Sequence, residues 1–579
     1  MSAELDDLNP KAGREFFGHP KGLPTLFMTE MWERFSFYGI RPLLILFMTA
    51  TLMDGGFGFE RPKAAAIVGI YAASVYLSSL PGGWIADRLL GLRRAIMYGA
   101  VLITSGHLSI GLSGFFGGKI MFFVGLILIV LGTGLLKPNI SAIVGDLYPE
   151  GGERRDAGFS IFYMGINLGA TLGQIVTGLL GEKYGFHWGF GAAGVGMAFG
   201  LIWFAVRSRT TLGNLGIGPT RDPDPTIQAG YETRVKVVVA VGLAIIALMV
   251  ILTAAGVIVL DPQVVGGYML YVLVGLAVAF FVFMFVAGKL NSDERKRVIV
   301  IGVLFIFAAI FWAAFEQAPT SLNLFAKDFT DRQFGPIPSL LSTPLSIAVL
   351  AFTAAFALIA TRVLFRRAAI AEAYQNAIAL IAVGVVGLII YSAGVGFEVP
   401  ALWFQSINSF LIIIFAPVFA AIWMWFGAKN INISAPAKFA LGLFLAAAGF
   451  FVMIFPANML VSTGGLIKVS AWWLAVSYLF QTFGELLLSP VGLSSMTKLA
   501  PRRFVGQMMG IWFLAASVGN LIAGLVGGSV DPEKLEQTPK LFTATTVALL
   551  ISAVILALLA IPIARMMKKT EDVAFDPAA

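Results

Sequence analysis

The sequence predicts an all-α polytopic membrane protein of about sixteen spans, and three observations carry that prediction. The chain of 579 residues is 58% hydrophobic and 12% charged, whereas a soluble domain is roughly 45–50% apolar and about 25% charged. Seven windows hold no Asp, Glu, Lys or Arg: 95–118, 158–181, 184–206, 237–260, 262–288, 504–530 and 541–564. Each exceeds the about 20 residues that cross a bilayer. The basic residues are also sided. With the N-terminus inside, 28 of the 40 Lys and Arg fall in inside segments and 9 in outside segments. Only Arg34, Arg41 and Lys137 fall within spans. Such a bias is the signature of fixed topology, and dropping one span would invert every later loop and destroy it.

In order, the spans are expected near 23–50, 64–87, 95–115, 120–145, 157–180 and 188–206. Residues 207–236 contain RTTLGNLGIGPTRDPDPT and read as a turn-rich inside loop joining two bundles. Two more spans follow near 237–260 and 266–288. The remainder are placed near 298–326, 344–361, 373–395, 402–427, 438–456, 470–490, 504–527 and 541–564. The domains expected are a six-helix bundle at 1–206, a loop and inserted helix pair at 207–297, and a second six-helix bundle at 298–566. A second inserted pair lies at about 340–397, and 567–579 form a cytoplasmic tail. The basic turn RVLFRRAAIAEAY of that second pair fits an inside position.

Several function classes drop out. The chain has no Cys, which excludes disulfides, thiolate catalysis and Cys-ligated metals. Three His leave no convincing metal site, so neither metal nor cofactor is expected. The formal charge of +8 is accounted for by topology, so no nucleic-acid partner is needed. The N-terminal MSAELDDLNPKAGREFFGHP is too polar for a cleaved signal peptide. GFGAAG at 189–194 matches a dinucleotide fingerprint but lies in an apolar span without a preceding strand, so it reads as helix packing. GINLGATLG places Gly165, Gly169 and Gly173 at four-residue steps, a tight helix contact. GLSG at 111–114 would need a His base to be a protease, and two of the three His lie in loops.

The informative residues are the charges inside spans. On a helix, Glu30, Arg34, Tyr38 and Arg41 fall within about 80° of arc, with Glu33 about 60° to one side. Glu30 and Arg34 form an i,i+4 pair. Such a face cannot look at lipid. Lys137 in GTGLLKPNIS and Glu485 in FQTFGELLLSP each precede a Pro expected to break the span, and Glu316 in FWAAFEQAP follows Trp312 by one turn. The interior thus holds four acids and three bases. One acid is left to bind a cation, take a proton or meet a positive group on a substrate. A static salt-bridge network is the alternative, but charges on four spans beside helix breakers favour a transporter.

These charges stand in recognisable motifs. EMWERFSFYG resembles the ExxERFxYY signature of proton-dependent oligopeptide transporters, a branch of the major facilitator superfamily. GGWIADRLLGLRR at 82–94, GERRDAGFSIFYMGINLGA at 152–170, FQSIN at 404–408 and GELLLSPVGLS at 484–494 are similar to the remaining motifs, so the resemblance spans roughly 22–566. It implies two six-helix halves with the substrate between them, no enzymatic activity, and import of di- and tripeptides with protons. The setting implied is a monomer in the bacterial inner membrane, with both termini cytoplasmic. By motif, Glu30, Glu33 and Arg34 are the proton-coupling cluster. Arg41 and Lys137 face the peptide carboxylate, and Lys137 alternates with Glu316 in a gating pair. Asn167, Asn408 and Glu485 hold the peptide amine, while Tyr38, Tyr76, Tyr163 and Trp312 line side-chain pockets. The chain departs from the pattern in three places. Phe37 replaces a Tyr, which is expected to shift side-chain preference. Ser409 replaces a Pro, which is expected to straighten that helix. The second span has no His, which leaves proton access to carboxylates. The competing expectations are another small solute, such as nitrate or a peptide-like compound, on the same fold, and a non-transporting membrane receptor.

Overall fold

The computed structural model describes residues 18–149, 152–219, 224–336 and 394–574 apart from 430 and 432, with scattered positions between 347 and 387. The protein is a multi-pass bundle. Helices α1 (Gly22–Thr49), α2 (Arg61–Ile85), α3 (Leu92–Leu112), α4 (Gly118–Asp146), α5 (Gly152–Lys183) and α6 (Phe186–Thr211) pack in one group. Helices α7 (Pro225–Ala254) and α8 (Pro262–Val286) come next. A second group holds α9 (Ser292–Phe315), the short α10 (Asn323–Asp328), α11 (Trp403–Ala428), α12 (Ala435–Ser462), α13 (Trp472–Leu499), α14 (Val505–Gly527) and α15 (Gln537–Ala574). Thirteen described helical stretches are long and apolar enough to cross a membrane. Helix α1 is as long as these, but its four charges keep it out of that set. The two spans expected within 344–395 lie largely outside the described residues.

Lipid offers no hydrophobic drive for helices to associate, so close packing over small residues must hold them. The sequence supplies glycines where axes approach. A Cβ at Gly99 would sit 2.6 Å from the Gly132 carbonyl, and one at Gly132 would sit 2.6 Å from that of Gly99, clamping α3 to α4. Gly442 and Gly484 do the same for α12 and α13. Between the groups, a Cβ on Gly69 of α2 would lie 2.7 Å from the Gly524 Cα of α14. On α5, any Cβ at Gly169 or Gly173 would overlap the Met31 or Phe35 carbonyl of α1. The GINLGATLG steps therefore press α5 onto the helix that bears the charges.

Three local expectations need correction. The loop expected to reach residue 236 ends earlier, because α7 starts at Pro225. Asp224 caps it by accepting the Thr226 N–H at 2.8 Å, and Pro at the first turn gives up no helical bond; Asp261 and Pro262 open α8 the same way. Pro138 and Pro490 do not break their spans, and α4 and α13 run through them. Each Pro removes one donor, which neighbouring helices in a membrane bundle tolerate. The real interruption follows Glu316, where a π-turn at Ala318–Leu322 containing Pro319 separates α9 from α10.

Alternating helices define two ends. The near end holds Gly22, Asp146, Gly152 and Leu499; the far end holds Thr49, Arg61, Asp328 and Trp403. At the far end, Gln333–Phe334 pairs antiparallel with Phe397–Glu398. The chain therefore departs and returns at one point, and α11 starts from the end at which α10 stopped.

Candidate functional site

Helix α1 carries the centre of the site. Arg34 Nε donates to Glu33 Oε2 and lies 3.3 Å from Glu30 Oε1, with all three side chains at most 2% exposed. Two carboxylates thus share one guanidinium. Glu30 Oε2, Glu33 Oε1 and Arg34 Nη2 are buried with no hydrogen-bond partner among the described residues, where most buried polar atoms have one.

Two turns along α1, Arg41 Nη2 donates to Glu316 Oε2 at the end of α9 and to Asn520 Oδ1 of α14 at 2.8 Å. This bond ties the two helix groups together in the membrane interior. The expected gating partner of Glu316 was Lys137. In this structure Glu316 is held by Arg41, and the Lys137 ammonium sits 4.2 Å from the centre of the Tyr76 ring. Among the described residues, no carboxylate lies within ion-pairing distance of Lys137. Arg41, expected to face a substrate carboxylate, is already engaged.

On the second group, Asn408 Nδ2 donates to Glu485 Oε2 and to Thr482 Oγ1, each at 3.0 Å. Glu485 has no cationic partner among the described residues. It stands on α13 of the second group, whereas Tyr38 and Tyr163 stand on α1 and α5 of the first. Asn167, the third residue expected here, turns its amide onto its own helix and donates to the Tyr163 carbonyl at 3.0 Å. Tyr163 is 41% exposed, and Tyr38, Tyr76 and Trp312 are half-buried. Phe37 is 1% exposed, so it packs inside α1's surroundings and does not line a pocket. Ser409 accepts from or donates to Thr171 of α5 at 2.9 Å, a bond that Pro would forbid.

Polar bonds between the groups gather at the far end. Arg61 donates to Asp328 at 2.6 Å and to the Val530 carbonyl at 2.9 Å. Arg332 and Lys327 meet Glu182 at 3.1 and 3.4 Å. Trp403 Nε1 donates to the Ile175 carbonyl at 2.9 Å, and Asn323 Nδ2 to the Pro42 carbonyl at 2.8 Å. The far end is closed. Asn520, Thr482 and Tyr71 were missed by sequence reasoning. Asn520 is the one with a usable signal, an amide in the charge-free window 504–530.

Comparison with known proteins follows this geometry. The profile described as POT family matches residues 93–214, 269–386 and 389–541. The peptide transporter YePEPT of Yersinia enterocolitica subsp. palearctica is 43% identical, over 97% of this chain and 98% of its own. A di-/tripeptide transporter of Lactococcus lactis subsp. cremoris is 34% identical, over 97% and 99%. A crystal structure of a peptide transporter POT in complex with sulfate superimposes with a TM-score of 0.77 at 37% identity, covering 98% of this chain and 99% of that one.

Proposed function

The chain belongs to the POT family, and from that premise we propose that it imports di- and tripeptides with protons by alternating access, and catalyses no reaction. One observation carries the substrate class. The two interior charges without an ion-pair partner among the described residues, Lys137 and Glu485, have opposite sign and stand on opposite helix groups. A zwitterionic peptide between the groups matches both: its carboxylate meets Lys137 and its ammonium meets Glu485, beside Asn408. An anion such as nitrate leaves Glu485 without a partner and costly to bury. A scaffold has no use for either charge.

Proton coupling rests on the α1 cluster, in which two carboxylates face one guanidinium. The proton is assigned to Glu33, whose Oε1, like Glu30 Oε2, is buried without a hydrogen-bond partner among the described residues. Protonation removes half of the charge that holds Arg34. Release of the Arg41–Glu316 bond then frees the far end to open. With the near end cytoplasmic, as the bias of Lys and Arg indicates, the far end faces outside and this state is closed to it. The protein works as a monomer in the bacterial inner membrane, with both termini cytoplasmic.

Uptake of a labelled dipeptide into proteoliposomes tests the reading. Accumulation under an inward proton gradient, competed by free dipeptides and not by N-acetylated ones, is expected. Gradient-independent uptake, or competition by nitrate alone, would overturn it.

A further inference from the structure

Phe37 stands between the two working arginines of α1. The Arg34 Cζ lies 5.0 Å from the centre of its ring, and the Arg41 Cζ lies 5.9 Å from the same centre. The spacing is local: three residues back and four residues on, both on one helix face. A guanidinium within about 6 Å of an aromatic centre is attracted by the ring quadrupole. Each cation also has an incomplete set of hydrogen bonds, since Arg34 Nη2 and Arg41 Nε are buried without partners. The ring has little freedom. It is stacked on Tyr71, with centres 6.2 Å apart and planes 30° from parallel, and meets the edge of Tyr38 at 5.2 Å.

We propose that Phe37 is a positioning residue that transmits the protonation state of the Glu30–Glu33–Arg34 cluster to the Arg41–Glu316 bond between the helix groups. The proposal deepens the proton-coupled reading above and rests on it. A proton added at Glu33 leaves Arg34 balanced by Glu30 alone. Arg34 then leans harder on the ring face, and Tyr71 and Tyr38 leave the ring no room to slide away. The displacement passes to Arg41 on the other side, weakening its hold on Glu316 and Asn520. The charged and titratable groups around this path are Glu30, Glu33, Arg34, Tyr38 and Arg41 on α1, Tyr71 and Tyr76 on α2, Lys137 on α4 and Tyr163 on α5. Glu316 and Glu485 complete the set from the second group. A Phe lacks the hydroxyl that would offer a hydrogen-bonded route, so the ring face is the link.

The absence of Cys allows spin labels at Met53→Cys and Leu466→Cys, which are fully and 90% exposed in far-end loops of the first and second groups. Distances between them are measured in nanodiscs at steps from about pH 7.5 to about pH 5.5. With Phe37 intact, acidification is expected to move the population to longer distances. Phe37→Leu and Phe37→Met keep an apolar side chain and remove the ring; each is expected to cut the population ratio shift about tenfold. Phe37→Tyr keeps the ring and is expected to restore the shift. A full shift in either ring-less variant, or none with Phe37 intact, overturns the proposal. Dipeptide uptake is measured beside it. A parent protein that shows the shift and transports no dipeptide would refute the function while this inference stands.

Discussion

Glu485→Gln isolates the amine contact with little disturbance to its surroundings. Asn408 Nδ2 donates to Glu485 Oε2 at 3.0 Å. The Gln side-chain carbonyl accepts the same bond, so the local structure is kept while the charge is removed. Two effects act on a bound peptide. The charge-assisted bond to its ammonium is lost, and the Gln amide N–H faces another donor. A hydrogen bond to a charged group is worth about 1.5–3 kcal/mol, which corresponds to about a 10- to 150-fold weaker interaction. The KM for a dipeptide should rise by that factor. Competition by an N-acetylated dipeptide, poor against the parent, should become comparable to that by the free dipeptide. Proteoliposome uptake with both competitors, normalised to folded protein from gel filtration, gives the numbers. A variant with unchanged KM that still discriminates against the blocked amine would refute the assignment of Glu485.

Glu33→Gln removes the proposed proton site; gradient-driven uptake should fall at least about tenfold, while counterflow exchange without a gradient, which needs binding and rocking alone, keeps most of its rate. Equal loss of both would make Glu33 a binding or structural residue. Replacing residues 337–395 by a short Gly-Ser turn should leave uptake within about threefold, since the clasp between Gln333–Phe334 and Phe397–Glu398 keeps the direction of α11 and bared apolar surface costs little in lipid; a folded deletion without transport would give the insert a part in the rocking motion. His19 lies before α1 and bonds the buried Tyr148 hydroxyl at 2.8 Å; burial first, and then Arg154, hold its pKa below the ordinary 6.5. The unfolded chain therefore binds that proton first as pH falls, so thermal stability in detergent should be full above about pH 6.5 and decline below it, and His19→Gln should flatten the decline.

The spans among the described residues were legible in the sequence. Lipid charges a penalty for each Asp, Glu, Lys or Arg independently, so the pattern is legible residue by residue. The Glu30–Arg34 pair was legible too, because i,i+4 geometry is a property of one helix. So was a tight helix contact through Gly165, Gly169 and Gly173, whose partner proved to be α1. Local reading misjudged Pro138 and Pro490, since α4 and α13 run through them without a break. Only the tertiary structure decided which partner each interior charge meets. Glu316 pairs with Arg41, 275 positions away, and Asn520 joins them from α14. Asn167 turns to its own helix, Phe37 is buried between arginines, and Lys137 and Glu485 have no ion-pair partner among the described residues. These outcomes depend on how two helix groups dock. Docking is a sum over many weak contacts such as Gly69 on Gly524, and no single stretch of sequence contains that sum.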